Sequence, residues 1–351
     1  MVQLLGRSTY HFLQPPVILA SAAAGGKMER DGPLGKWFDY IDEDARFGEE
    51  SWEKAENRMQ QLALKTALQK AGLRKTDLNL LFAGDLLNQC TGSSYGLRGF
   101  MVPYLGIYGA CSTMAEGLLM AAVYTGAGLA KAAGAVTSSH FCTAERQYRF
   151  PLEYGCQRPP TAQWTATSAG AVIIGENDGN SAGKVTIVHA CAGIIQDGSV
   201  RDANNMGAAM APAAACLLRR YFRESGTGPR DYDRIFTGDL GAVGSELLCQ
   251  LLERDHIQIS DRHEDCGLLL YDRKKQDVHA GGSGCGCSAG VLNGHILPEM
   301  RAGRLHDVLF AATGALLSPT MVQQGETIPG IAHLVHLRME QGGNNGCSSN
   351  C

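Results

Sequence analysis

Gly109-Ala110-Cys111-Ser112-Thr113 places a cysteine between a predicted strand and a predicted helix. A thiol at that corner meets the positive end of the helix dipole, which favours thiolate and predicts that Cys111 is a nucleophile open to alkylation. Gly109 and Ala110 are small enough for the chain to turn sharply there. The alternative is a buried cysteine that serves as a small apolar residue. Arg146 and Arg149 stand three apart, so one helical turn puts both guanidinium groups on one side, where they can fork around carboxylates. Pairing of Arg146 with Glu145 or Glu153 is the competing use. His140 follows a predicted strand and reads either as a satisfied structural histidine or as a ligand. Asp85, Asn88 and Asp239 carry oxygens that could hold Ca²⁺, although no EF-hand spacing is present, and helix capping is their other reading. Ser283 lies in Gly281-Gly282-Ser283-Gly284-Cys285-Gly286. That run lacks the first βαβ unit and ribose-binding acid of a dinucleotide site, so a tight loop at a second corner explains its glycines better.

These residues belong to a sequence that repeats itself. Gly72-X-Arg74-X-X-Asp77, an apolar run and Phe82-X-Gly84-Asp85-Leu86 reappear as Gly228-X-Arg230-X-X-Asp233 and Phe236-X-Gly238-Asp239-Leu240. Cys111 and Thr137 recur as Cys287 and Thr313 at one offset of 176 residues (287 − 111; 313 − 137). One offset kept through a helix and the next strand argues duplication. The first copy predicts a strand at 17–20, a long loop at 25–48 and a helix that Ser51 caps and Gly72 stops. Strands at 80–83, 104–108, 132–138 and 163–174 and a helix at 113–125 follow. The second copy predicts strands at 185–194, 235–237, 267–271, 308–313 and 331–337, with helices at 204–223, 243–253 and 288–301. Alternating strands and helices argue two parallel sheets covered by helices. The duplicated corners would then meet at the carboxyl ends of strands, where open α/β sheets bind ligands.

The composition fits such a body. The chain has 351 residues, 44% hydrophobic and 19% charged, with a net charge of −4 spread along its length. That excludes disorder, a nucleic-acid footprint and a polybasic membrane tract. Residues 1–10 are polar and no apolar run approaches a membrane span, so no signal peptide or transmembrane segment is expected. The 12 cysteines therefore read as mostly reduced, and the spacing of Cys285, Cys287, Cys347 and Cys351 does not make zinc knuckles. Residues 1–180 and 181–340 form the expected halves, and 341–351 a disordered tail.

Two βα halves with a cysteine at the first strand–helix corner resemble the thiolase and β-ketoacyl synthase superfamily. Within it the chain is similar to the stage V sporulation protein AD family of spore-forming bacteria. The resemblance rests on Asp31-Gly-Pro-Leu-Gly, Phe82-Ala-Gly-Asp-Leu-Leu-Asn-Gln, Tyr108-Gly-Ala-Cys-Ser-Thr, Thr137-Ser-Ser-His, Ala280-Gly-Gly-Ser-Gly-Cys and Ala312-Thr-Gly-Ala-Leu-Leu-Ser-Pro. It implies a thiolase-like αβαβα layered fold built from two pseudo-symmetric βα halves. It also implies binding of dipicolinic acid as its calcium salt, uptake of that acid into the developing spore, and a part in germination. The implied partners are dipicolinic acid, membrane subunits of the spore dipicolinate channel and a second copy of the chain. No resident cofactor is expected beyond Ca²⁺ brought with the ligand. The implied location is the periphery of the forespore or spore inner membrane.

Enzymes of the superfamily pair the nucleophile with two second-half groups, His and His or His and Asn, that polarise a thioester. The corner Thr237-Gly238-Asp239-Leu240 and the loop Gly282-Ser283-Gly284-Cys285 hold neither. A carboxylate at Asp239 would repel a developing oxyanion. Binding without turnover is the leading expectation; an acyltransferase or thioesterase using Cys111, and a scaffold with a vestigial pocket, are the alternatives. A planar dicarboxylate would use Arg146 and Arg149 as forks and Tyr148, Phe150 or Tyr154 as a stacking wall. Binding residues expected on this reading are Asp85, Asn88, Cys111, His140, Arg146, Arg149, Asp239 and Ser283, with Ca²⁺ bridging Asp85 and Asp239. A homodimer would form through a first-half sheet edge at 104–108 or 132–138.

Overall fold

The computed structural model describes residues 1–149, 157–179 and 181–340; the expected tail, Phe150, Glu153 and Tyr154 lie outside the described residues. The first half runs β1 (Val2–Leu5), β2 (Thr9–Phe12), β3 (Val17–Gly25), α1 (Lys27–Arg30), β4 (Tyr40–Ile41), α2 (Trp52–Ala71) and β5 (Leu80–Gly84). It continues with α3 (Thr91–Leu97), β6 (Tyr104–Gly106), α4 (Thr113–Gly126), β7 (Ala132–Ser139), α5 (Phe141–Tyr148), β8 (Trp164–Thr165) and β9 (Ser168–Gly175). Helix α2 begins where Ser51 Oγ accepts from the Lys54 N–H and ends at Gly72, whose φ of 67° only glycine adopts without strain. Between those ends Ala55, Met59, Ala63, Leu64 and Ala67 form one buried face.

The second half runs β10 (Val185–Cys191), α6 (Met206–Ser225), β11 (Arg234–Thr237), α7 (Gly241–Glu253), β12 (His263–Asp265) and α8 (Cys266–Leu270). Then come β13 (Gly282–Ser283), α9 (Cys285–Val291), a π-helical turn (Leu292–Ile296), α10 (Leu297–Arg301), β14 (Asp307–Ala315), α11 (Pro319–Gln323) and β15 (Gly330–Met339). The strand order is β12-β11-β14-β15-β10-β3-β9-β7-β5-β6. Read outward from the middle, the wings β3-β9-β7-β5-β6 and β10-β15-β14-β11-β12 are the same arrangement. Phe82 pairs with Ala135 and Phe236 with Phe310 at equivalent places in them. The duplication is thus structural.

Five layers result. Helix α2 covers the outer face of the first wing, and α6 and α7 cover that of the second; α4 and α9 lie between the wings. Helix α9 is buried on all sides, and α4 on most of its surface. A helix apolar all round belongs inside a core. Small residues (Gly117, Ala121, Ala122, Gly286, Ala289 and Gly290) let them pack closely against the strands they face.

Several expectations need correction. The wings are mixed rather than parallel, because β9 and β15 each run antiparallel to both neighbours. The wings also join through one partner pair, Thr186–Val17, so the two expected sheets form one hydrogen-bonded path. Residues 163–174 split into β8 and β9, and 266–270 form a helical turn after β12 instead of a strand. The run Gly-Leu-Leu-Leu-Tyr has no periodicity that separates a buried strand from a buried helix. The first residues form the β1–β2 hairpin, with β2 paired to β10. Strand β7 is interior, flanked by β5 and β9, which leaves β6 as the first wing's free edge.

Candidate functional site

The two corners meet across the pseudo-twofold. The turn Gly109–Cys111 rests on the end of β14, so closely that a Cβ at Gly314 would lie 2.3 Å from the Gly109 carbonyl oxygen. Reciprocally, the second-half loop rests on the end of β7: Cys285 Sγ–H donates to Ser138 O at 2.9 Å, and the Gly286 N–H to Ser139 Oγ at 3.2 Å. Ala110 holds φ 50°, a left-handed conformation costly for a residue with a Cβ, and it turns Cys111 toward the second half. Its equivalent does not stand at a corner: α9 starts at Cys285, which leaves Cys287 fully buried in the first turn.

Cys111 lines a pocket of about 440 Å³, open mouth included, with Leu86, Ala144, Glu145, Tyr148, Arg149 and Ser283. Its Sγ lies 4.0 Å from Ser283 Oγ. Beneath them Asp239 is fully buried and accepts from Ser283 Oγ (3.1 Å), the Gly284 N–H (2.8 Å) and Thr313 Oγ1 (3.0 Å). Burial pushes Asp239 up to about 6 against these hydrogen bonds. It pushes the Cys111 thiol well above its ordinary value too, and the Asp239 charge and the hydrogen bond to it add to the effect. Burial and the Asp239 charge both oppose the thiolate that the helix dipole would favour.

On the opposite wall Arg149 follows α5, with Nη1 3.3 Å from Glu145 Oε2. Neither of those two buried atoms has a hydrogen bond among the described residues. Burial raises the Glu145 carboxyl although Arg149 and Arg158 act to lower it. Tyr148 Oη lies 2.9 Å from Tyr108 Oη and also donates to Leu86 O, which fixes the ring at the pocket wall. The wall is completed by Thr165, Met206, Ala315 and Leu317, residues that carry no chemical signal in the sequence.

The remaining expected residues lie elsewhere. Arg146 pairs with Glu53 on α2, so it does not share a side with Arg149, which lies past the last helical turn. Asn88 is exposed and its N–H donates to Gln147 Oε1. Asp85 faces α3, where it accepts from the N–H groups of Leu87 and Ser93 and from Ser93 Oγ. His140 caps α5: Nδ1 accepts from the Cys142 N–H and Nε2 donates to Ala45 O. Burial lowers it to about 4. Asp85 and Asp239 have their oxygens committed to different partners, which corrects the expected Ca²⁺ bridge between them. Among the described residues no cluster of three or more His, Cys, Asp or Glu is placed to hold a metal.

The structure therefore unites Cys111, Arg149, Asp239 and Ser283, and sets Asp85, Asn88, His140 and Arg146 apart. Attack by Cys111 needs a base for its proton and donors for an oxyanion. The groups described beside the sulfur are the Asp239 carboxylate and two donors already committed to it, the Ser283 hydroxyl and the Gly284 N–H. Burial raises the thiol and the Asp239 charge raises it further, which opposes loss of its proton. The pocket thus holds Arg149 beside Glu145 between aromatic and aliphatic walls.

Residues 6–338 match the family described as Stage V sporulation protein AD. The chain is 45% identical over 332 residues to Stage V sporulation protein AD of Bacillus subtilis (strain 168), covering 95% of this chain and 97% of that protein. Among solved structures it is similar to 3-oxoacyl-[acyl-carrier-protein] synthase III from Aquifex aeolicus VF5, at TM-score 0.56 and 14% identity, over 92% of this chain and 99% of that one. It is also similar to a variant of OleA from Xanthomonas campestris, at TM-score 0.58 and 12% identity, over 93% and 99% of the two chains. At such identities these likenesses establish the thiolase-like fold alone.

Proposed function

Because the chain belongs to the stage V sporulation protein AD family, we propose that its Cys111 pocket binds dipicolinic acid without turning it over, as part of uptake into the developing spore. The observation that carries this reading is the Asp239 carboxylate beneath Cys111, where acyl chemistry needs donors. Arg149 supplies the cation for a ligand carboxylate, and Tyr148 a flat wall for a pyridine ring. Calcium enters as the ligand's own counter-ion. The location proposed is the periphery of the forespore or spore inner membrane, with channel subunits as partners; no helix among the described residues is long and apolar enough to cross a membrane. A second copy would pair at the β6 edge, where Met101, Leu105 and Tyr108 are exposed.

Titration calorimetry with dipicolinate, with and without Ca²⁺, tests the reading. Arg149→Ala should weaken binding by about 1.5–3 kcal/mol, the worth of a charged hydrogen bond. Arg146→Ala should leave it unchanged, since Arg146 is engaged with Glu53. Equal affinities in all three proteins would place the ligand elsewhere. Repeated turnover of an acyl-coenzyme A, lost in Cys111→Ser, would replace the binder by an enzyme.

A further inference from the structure

A second cavity, of about 560 Å³ with its mouth, lies between α6 and the N-terminal hairpin and shares no lining residue with the Cys111 pocket. Four arginines line it: Arg219, Arg220 and Arg223 from one side of α6, and Arg7 from the turn between β1 and β2. Arg219 is engaged with Asp255 and Leu251 O. Arg220 is not so served. Its side chain is buried, with a residue exposure of only 5%; Nη2 donates to Ala192 O, while Nε and Nη1 have no hydrogen bond among the described residues. A buried guanidinium with two unbonded donors is costly, and a counter-charge at the cavity would offset part of that cost.

The neighbouring carboxylate accepts from neither of those donors. Glu224 accepts from the N–H groups of Arg7 and Ser8 and from Thr9 Oγ1, which ties it to the hairpin. The side chains of Arg7 and Arg223 are exposed, and neither pairs with a carboxylate among the described residues. Four arginines against Glu224 and Asp255 leave a local charge of +2 in a protein whose net charge is −4.

We propose that this cavity binds a phosphate group, held by the exposed guanidinium groups of Arg7 and Arg223 over the buried charge of Arg220. A guanidinium of Arg7 or Arg223 can present two parallel N–H groups to two phosphate oxygens, and the local charge matches a dianion. Ile194 lines the mouth at 42% exposure, and the next residue, Ile195, is 60% exposed. That apolar rim suits the headgroup of a phospholipid as well as a soluble phosphate; the chemistry at the arginines is the same.

Two measurements on the full chain distinguish the sources. Calorimetry with inorganic phosphate and with pyrophosphate reads a soluble ligand. Co-sedimentation with phosphatidylcholine vesicles, with and without phosphatidic acid, reads a headgroup. Saturable binding in either arm is expected, weakened about tenfold in Arg223→Ala, the effect of losing one charge-assisted contact. Arg220→Met, which removes the buried charge, should weaken it too, and Arg223→Ala, exposed and free to fold, keeps the test valid if that variant misfolds. Arg74→Ala, on the other half and paired with Asp77, should bind as the wild type does. Absence of binding in both arms, or equal binding by wild type and Arg223→Ala, overturns the proposal.

Discussion

Cys111 and Asp239 form a pair in which each alters the other's protonation. The thiol is raised first by burial, then by the Asp239 charge and the hydrogen bond to it. Removing that charge while keeping the shape should lower the thiol pKa, because burial alone then holds it up. Asp239→Asn can still accept from the Gly284 N–H and Ser283 Oγ. Alkylation of Cys111 by iodoacetamide, followed by mass spectrometry of its peptide across pH 7–10, should be slow in the wild type. In Asp239→Asn the rate should rise at lower pH. Identical pH–rate profiles would show that Asp239 does not control the thiol. Cys111, Asp239 and the lack of His or Asn around them were legible in the sequence, since both corners fall in duplicated motifs. The protonation state was not, because it depends on burial and on a contact across 128 residues of chain (239 − 111). Arg146 misled for a similar reason: its partner Glu53 is distant in sequence but adjacent in the fold.

Between α2 and the ends of β5 and β7 runs a buried polar chain. Gln60 Nε2 donates to Ser93 Oγ and Ser138 Oγ, and Glu56 meets Ser138 Oγ and Thr143 Oγ1, each at 2.8 Å. It ties α2 to α3, β7 and α5, the elements around Asp85 and the pocket wall. Burial, then the Asp85 charge, pushes Glu56 up to about 8 from 4.5. An acid raised on folding contributes stability that is fully present below its unfolded pKa and lost as pH rises through its folded one. The window here is pH 4.5–8. Glu56→Gln removes that dependence and can donate to Thr143 Oγ1 in place of the acid proton. Urea unfolding at several pH values should show the variant gaining on the wild type as pH rises, by about 1.4 kcal/mol per unit within the window at most. A difference constant from pH 5 to 8.5 would mean that Glu56 is ionised throughout. At this scale the sequence was clear where local signals decide, as in the capped ends of α2. It misled on strand direction in β9 and β15, expected parallel but antiparallel to both neighbours, because tertiary pairing decides direction.

The two wings are held by the enclosed helices and, in the sheet itself, by little more than the Thr186–Val17 pair and the N-terminal hairpin. Beside that join His11, His189 and His336 come from β2, β10 and β15, with ring centroids 4.9 Å apart for the first two and 5.5 Å for the last two. His189 Nδ1 bonds Tyr221 Oη at 3.0 Å, and His336 Nε2 bonds Asp307 Oδ1 at 2.8 Å. Arg338 also pairs with Asp307 and adds positive charge. Burial, then the neighbours His336, His11 and Arg338, lower His189 to about 3. His336 is lowered too, by burial against the Asp307 carboxylate. A base depressed on folding stabilises above its unfolded pKa of 6.5, and that stability is lost as pH falls toward the folded value. Acid should therefore open this join, since the unfolded chain takes up protons that the folded cluster refuses. Hydrogen exchange at pH 7 and pH 5, corrected for the intrinsic rate, should show β2, β10 and β15 losing more protection than β5 and β7. Strand β7, by contrast, carries no titratable side chain. His189→Gln keeps a polar group near Tyr221 Oη and removes the charge that would form. It should restore much of the protection at pH 5 while changing little at pH 7. Uniform loss of protection across both wings, unaltered by His189→Gln, would assign acid sensitivity to the molecule as a whole and not to the line where its two copies join.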